Sequence, residues 1–304
     1  MRRGDVHRAL FTVLATVVLV LPSGSVRAGA LIATSGVDAL ASTSQLPQGG
    51  TRILGHYRVV AYYGAVGGGA LGVLGSKRPA LIAQDIERRA ATWRRYGRPV
   101  QPAMELIATV AQGAPGPDGM YSKPISRAEL APYLRVAHRH KMLLILDFQP
   151  GRAQFLDQVK RFRYALVDPW VSVALDPEWK MGPTEIPGQV IGHASARSIN
   201  AVRRYLSGLV TAKHLPDKLL VVHQFRPQML PDRANIRPGP GVEVVFHADG
   251  FGTPRAKIAT WRRIALPPRP FGTGFKLFLR QDHPLMSSAQ VMARRPKPDL
   301  ITYQ

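Results

Sequence analysis

The chain contains no cysteine. Disulfides, thiolate metal sites and a lipid anchor on a lipobox cysteine are thereby excluded, and stability must come from a packed core. Acidic residues are scarce: 19 Asp and Glu face 41 Lys and Arg, a formal net charge of +22. A chain of this sign is held near polyanions such as wall polymers, lipid headgroups or acidic glycans. Nucleic acid is not the expected partner, because no zinc-finger, RNP or helix-turn-helix pattern accompanies the charge. The basic residues fall instead in pairs on predicted helices, such as Arg88-Arg89, Arg94-Arg95, Arg203-Arg204 and Arg262-Arg263, the pattern of a solvated outer face. Long apolar runs are missing too. The stretch Ala9–Leu21 is shorter than the ~20 residues that cross a bilayer comfortably.

What is present at the N-terminus reads as an export signal over residues 1–30. Arg2, Arg3 and Arg8 form a positive n-region, Ala9–Leu21 an h-region, and Ala28-Gly29-Ala30 the small residues of a cleavage site. Residues 31–50 are rich in Ala, Ser, Thr and Gly without a sustained period, and are expected to be a flexible leader. Residues 51–304 have the length of one large domain, and no internal repeat or later linker divides them. The expected product is a secreted or cell-wall-associated monomer that meets a membrane only through an uncleaved signal.

Eight strand-like apolar runs recur through the mature chain: Arg58–Tyr63, Ala103–Val110, Met142–Asp147, Val171–Asp176, Leu219–Gln224, Val242–His247, Phe275–Arg280 and Asp299–Tyr303. Continuous Val/Ile/Leu runs suit parallel strands covered on both faces. Helical spacing fills most of the intervals, clearest over Pro79–Tyr96, which stops at Gly97. Ser126 and Glu129 make a capping box for the next helix, with Pro132 expected to interrupt it. Further helical stretches are Gln154–Leu166, Ala196–Ala212, Arg255–Ile264 and Ser288–Arg294. This rhythm predicts an α/β fold, a single (β/α)8 TIM-type barrel, irregular after strand five and lacking the last helix. A doubly wound open sheet is the alternative.

In such barrels the site assembles at the carboxyl ends of the strands. Strand one ends in Tyr62-Tyr63, strand three in Asp147-Phe148-Gln149 and strand four in Asp176-Pro177-Glu178-Trp179. Strand five ends in His223-Gln224, strand six in His247-Ala248-Asp249, strand seven runs into Asp282, and strand eight finishes at Tyr303. Strand two ends blandly at Thr109. Each residue alone has a structural explanation, since Asp begins turns and a lone His is commonly a core residue. Turn chemistry does not account for Gln, His, Glu and Trp together at the same end of adjacent strands. On strand four, alternation puts Ser172, Ala174, Asp176 and, if the strand persists, Glu178 on one face, about 6.6 Å between the last two Cα atoms. Paired carboxylates suit glycoside hydrolysis, in which one acid protonates the leaving oxygen and a second stabilises or attacks the sugar. Glu178, Asp176 and Asp147 are the catalytic candidates. Tyr62, Tyr63, Gln149, Trp179, His223, Gln224, His247, Asp249, Asp282 and Tyr303 are the substrate-binding candidates, the ligand being a polysaccharide or anionic wall polymer.

The Asp-x-Glu at Asp176–Glu178, followed by Trp179, resembles the catalytic core of chitinase-type glycosidases. That resemblance implies Glu178 as the general acid and Asp176 as the partner that orients an acetamido group. The sequence departs from that family just upstream, having Pro169-Trp170-Val171-Ser172-Val173 in place of Asp-Gly-x-x-Asp. More broadly, LLILDFQPGR, ALDPEW, PGQVIG, VVHQF and PDLITYQ together resemble a family of exported actinobacterial proteins and lipoproteins, which implies a glycoside-hydrolase-like barrel.

Three other readings compete. Gly67-x-Gly69-x-x-Gly72 formally matches a dinucleotide fingerprint, but the next helix starts only near Pro79 and strand two lacks the acidic residue such a site needs. No cofactor is expected, and the glycines are read as a mobile lid. His223, His247, Asp249, Asp147 and Asp176 could hold a divalent metal in a hydrolase or deacetylase, although no ligand spacing supports it and no metal is expected. A non-catalytic wall-binding barrel would need the aromatics and not a proton-holding Glu178.

Overall fold

Alternation along each strand decides this architecture, because one parity faces the barrel axis and the other faces the helices. The computed structural model describes residues 44–265 and 270–304, all within one compact unit. The expected signal, residues 1–30, and most of the expected leader lie outside the described residues.

Eight parallel strands close on one another: β1 (Arg58–Gly64), β2 (Val100–Ala111), β4 (Leu143–Phe148), β5 (Val171–Leu175), β6 (Lys218–Gln224), β7 (Val242–Ala248), β8 (Gly272–Leu277) and β9 (Leu300–Tyr303). They run round in chain order, and β1 pairs with both β2 and β9, so no open edge remains. A short strand, β3 (Ser122–Pro124), adds antiparallel to the end of β2. The (β/α)8 architecture is therefore present, and the open sheet is excluded by the β1–β9 pairing.

Helices α1 (Pro79–Ala91), α2 (Arg127–Arg139), α3 (Phe155–Arg161), α4 (Arg163–Leu166), α5 (Ala196–Lys213), α6 (Pro254–Ile264) and α7 (Ser288–Met292) lie in the crossovers. The proline-rich interval between β6 and β7 holds only two 3-10 turns, Pro227–Met229 and Arg233–Asn235. Proline fixes φ and removes backbone donors, so a regular helix has no room there. α1 buries Ile82, Ala83, Ile86 and Ala90, and Gly97 takes the left-handed conformation that ends the following turn. The Ser126–Glu129 capping box forms as the sequence indicates. Pro132 does not interrupt α2. It forfeits one backbone bond, and burial of Leu130, Tyr133, Val136 and Ala137 offsets the loss. Among the described residues no helix is long and apolar enough to cross a membrane.

The lower interior is apolar: Val59, Ala61, Ala103, Leu143, Ile145, Ala174, Leu219, Val221, Val245 and Leu300 pack together. Leu46 and Ile53 close it from beneath. That closure gives residues 44–50, the last part of the expected leader, a structural role. Trp170 donates to the Gln45 carbonyl (2.9 Å), Tyr57 donates to that of Gln48 (2.9 Å), and the Ile53 and Leu54 N–H groups both reach the Glu243 carboxylate. The outward parity of the strands forms a second, larger core against the helices.

In the loop after β1, read from its glycines as a lid, Leu71 reaches the pocket at the carboxyl end of the barrel. Gly67 and Gly68 have open space around them, whereas others answer close backbone approach: a Cβ on Gly72 (φ +140) would lie 2.3 Å from the Tyr63 carbonyl oxygen, and one on Gly75 2.1 Å from that of Gly68. Leu74 is fully buried within the same loop.

Candidate active site

The inward parity that places aliphatics low in the barrel changes character one level higher. Continuing Val59, Ala61 leads to Tyr63; Ala103 leads to Glu105; Leu143, Ile145 to Asp147; and Ala174 to Asp176. Likewise Leu219, Val221 lead to His223, Val245 to His247, Gly274 to Lys276, and Leu300 to Thr302. Each of the eight strands thus gives one polar side chain to the same interior region. All eight are at most 2 % exposed.

His223 is the hub. Its Nδ1 lies 2.8 Å from Asp249 Oδ2 and its Nε2 2.9 Å from Glu105 Oε1. Burial opposes charge on the ring, yet Asp249 and Glu105 raise its pKa well above the ordinary histidine value, so it is an imidazolium. Glu105 also accepts from the Thr302 hydroxyl (3.1 Å), which lies 2.7 Å from His247 Nε2. The two imidazoles stack at 5.0 Å, in the paired positions His223 and His247 of β6 and β7. Burial and the charge on His223 push His247 down to about 3, leaving it neutral. Gly274, opposite His247 on β8, makes room for that ring: a Cβ there would sit 2.9 Å from it.

Lys276 supplies the second interior cation. Its Nζ is 3.2 Å from Asp249 Oδ1 and 3.6 Å from the centre of the Tyr63 ring. Burial works against its charge, but Asp249 and the other acids raise its pKa. Burial likewise opposes ionisation of Asp249 and Glu105, and their cationic neighbours overcome it and hold both carboxylates below the ordinary range.

The other three acids behave in the opposite way. Burial lifts Asp147 to about 6, and Tyr63, itself kept protonated by burial, donates to its Oδ2 at 2.8 Å. Burial raises Asp176 well above the ordinary value, with Asp147 and Glu178 adding to it. Glu178 is pushed up to about 7 by burial and then by Asp249. β5 stops at Leu175, so Glu178 is not the next inward residue of a strand. Asp176 caps a 3-10 turn over Pro177–Trp179, its Oδ1 accepting from the Glu178 N–H at 3.2 Å. The turn still carries Glu178 and Trp179 into the pocket wall.

That pocket, about 620 Å³, opens at the carboxyl end of the barrel. Tyr63, Gln149, Asp176, Glu178, Trp179, Asp249 and Lys276 line it, with Phe225, Phe251, Arg226 and Arg263 toward the outside. Asp147, His223 and His247 belong to the network below. Gln149 links pocket and network by donating to the Tyr63 hydroxyl (3.1 Å).

Four of the sequence candidates lie elsewhere. Tyr62 and Tyr303 have the outward parity and meet each other in the layer under α1, where Trp93 Nε1 donates to the Tyr303 hydroxyl (3.1 Å). Gln224 braces the loop after β6, bonded to the Arg226 carbonyl and to Arg233. Asp282 ties together Lys257 (2.9 Å), the Gly252 N–H and the Phe278 N–H. In their place come Glu105, Lys276 and Thr302, which reading the strand ends alone passes over. Their signal is a charged or polar residue inside an apolar run, in step with the inward aliphatics.

Among the described residues no three His, Asp or Glu side chains converge as metal ligands. His223 in particular has both ring nitrogens engaged by carboxylates and no lone pair to offer. The sequence matches no protein-family model and no curated protein.

Proposed function

We propose that this barrel is an exported glycoside hydrolase acting on a cell-wall or extracellular polysaccharide, with Glu178 as its general acid. The observation that carries the reading is the contrast between two carboxyl groups in one pocket wall. Glu178 holds its proton up to about pH 7, whereas Asp249, ion-paired with His223 and Lys276, stays ionised. Environments that push two acids apart in this way assign them opposite roles. Glu178 would protonate the departing glycosidic oxygen. Asp249, its charge shared with His223 and Lys276, keeps an ionised oxygen in the pocket wall for the oxocarbenium-like sugar, and Asp176, held toward its protonated form, is a hydrogen-bond donor for a ring substituent. Trp179 offers an apolar face beside the acid. The resemblance of Asp176–Trp179 to the chitinase-type motif supports the same role for Glu178. The expected N-terminal signal and the basic composition agree with a substrate outside the cell.

Incubating the wild-type protein and Glu178→Gln with purified wall glycans, and measuring newly formed reducing ends, tests the reading. Release by the wild type and its loss in the variant are expected. No release by the wild type, or equal release by both, defeats the assignment.

A further inference from the structure

A second cavity, about 560 Å³, lies at the opposite end of the barrel, beneath the starts of β1, β8 and β9. Four cationic side chains line it: Arg58, Arg98, Arg295 and Lys297. Asp299 is the one acid among the described residues that line it, and it is already engaged. Its Oδ1 accepts from Arg98 (2.9 Å) and its Oδ2 from the Thr273 N–H (3.0 Å). Among the described residues Arg58, Arg295 and Lys297 have no carboxylate partner.

Arg58 carries the argument furthest. The residue is 1 % exposed, yet its guanidinium donates only to the carbonyls of Pro298 and Tyr96, each at 3.3 Å. Charge-assisted bonds to an anion are shorter and stronger than these. Burial, and then the neighbouring Arg98, lower its pKa to about 10, against a smaller opposing pull from Asp299. An independent sign comes from Thr273, 3 % exposed, which lines the same cavity and whose hydroxyl has no hydrogen-bond partner. A buried hydroxyl left so costs about 1–3 kcal/mol. Guanidinium and ammonium groups lining one cavity with a spare hydroxyl donor complement a tetrahedral oxyanion with several acceptor oxygens.

We propose that this basal cavity is an anion site that takes a phosphate group, separate from the pocket that holds Glu178. The phosphate could come from solution or from a phosphate-bearing polymer, and the recognising groups are the same.

Titration calorimetry of the full chain with inorganic phosphate, at ionic strength held constant with sodium chloride, should show saturable binding. Arg295→Gln combined with Lys297→Gln, both exposed positions, should weaken it by about tenfold or more. Thr273→Val should weaken it several-fold while raising the melting temperature in phosphate-free buffer, because the unpartnered hydroxyl is gone. Glu178→Gln should bind phosphate as the wild type does. In a second arm, polyphosphate displaced by inorganic phosphate would place the polymer in the same site. No saturable binding of phosphate to the wild type would overturn the proposal. So would equal binding by the double variant, or polyphosphate binding that neither phosphate nor the variants affect, since that belongs to the diffuse basic surface.

Discussion

Replacing Glu178 by glutamine should lower activity and raise stability, and the second effect depends on pH. Burial and Asp249 lift the Glu178 carboxyl from 4.5 to about 7. At 1.36 kcal/mol per unit this gap is worth about 3 kcal/mol, and screening of a partly exposed side chain reduces it to about 2 kcal/mol. The sign follows from proton linkage. Below the unfolded value the carboxyl is protonated in both states and costs nothing. As pH rises toward 7 the unfolded chain releases a proton that the folded chain retains, so the wild type loses stability, and above 7 the loss is constant. Glutamine never ionises and avoids the loss. Scanning calorimetry at a series of pH values should therefore show the two melting temperatures converging near pH 4.5. Above neutrality the variant should melt roughly 4–8 °C higher, the shift expected of about 2 kcal/mol in a domain of this size. Over the same range it should lose roughly 10²–10⁴-fold in turnover of glycan, the contribution of a general acid. Parallel melting curves would mean that Glu178 is already ionised at neutral pH, and the acid role would fall with them.

Glu105→Gln should destabilise the barrel by about 3–5 kcal/mol, because it takes one of two counter-ions from a buried imidazolium; an unchanged denaturation midpoint would mean that His223 is neutral. Tyr303→Phe removes the acceptor of Trp93 Nε1 and should cost about 1 kcal/mol with turnover unaffected, and a loss of turnover would place Tyr303 in the pocket after all. Gly72→Ala forces a Cβ against the Tyr63 carbonyl at φ +140 and should lower stability by more than about 3 kcal/mol, measured by circular dichroism on heating; a wild-type melting temperature would refute the close-approach explanation of that loop.

Strand order and closure were readable because eight apolar runs alternated with helical intervals in a chain of the right length. The site was readable only in part. Residues at strand ends stood out as polar interruptions, and Asp147, Asp176, His223, His247 and Asp249 do meet. Glu105 and Lys276 were hidden inside apolar runs, where a charged residue is easily taken for a surface position. Parity distinguishes the cases, since Glu105 keeps step with Ala103 and Lys276 with Gly274, whereas Tyr62 and Tyr303 are out of step with Tyr63 and Thr302. The loop glycines were legible only in part for a related reason. Composition shows that a backbone is free to bend, but not that another strand of backbone will occupy the space.

The interior ring has a consequence for how the barrel can change. His223 and Lys276 are its cations, and Glu105 and Asp249 are the carboxylates they keep ionised, so these charges cancel. The further carboxyls, Asp147, Asp176 and Glu178, have only the longer reach of those same cations, His223 standing 3.9 Å from Asp147, and burial raises all three. The readiness of these acids to hold a proton therefore depends on the balance of acids and cations in the whole group, and not on each residue alone. Adding one cation inside the ring would push those acids toward ionisation without touching them, and removing one would do the reverse.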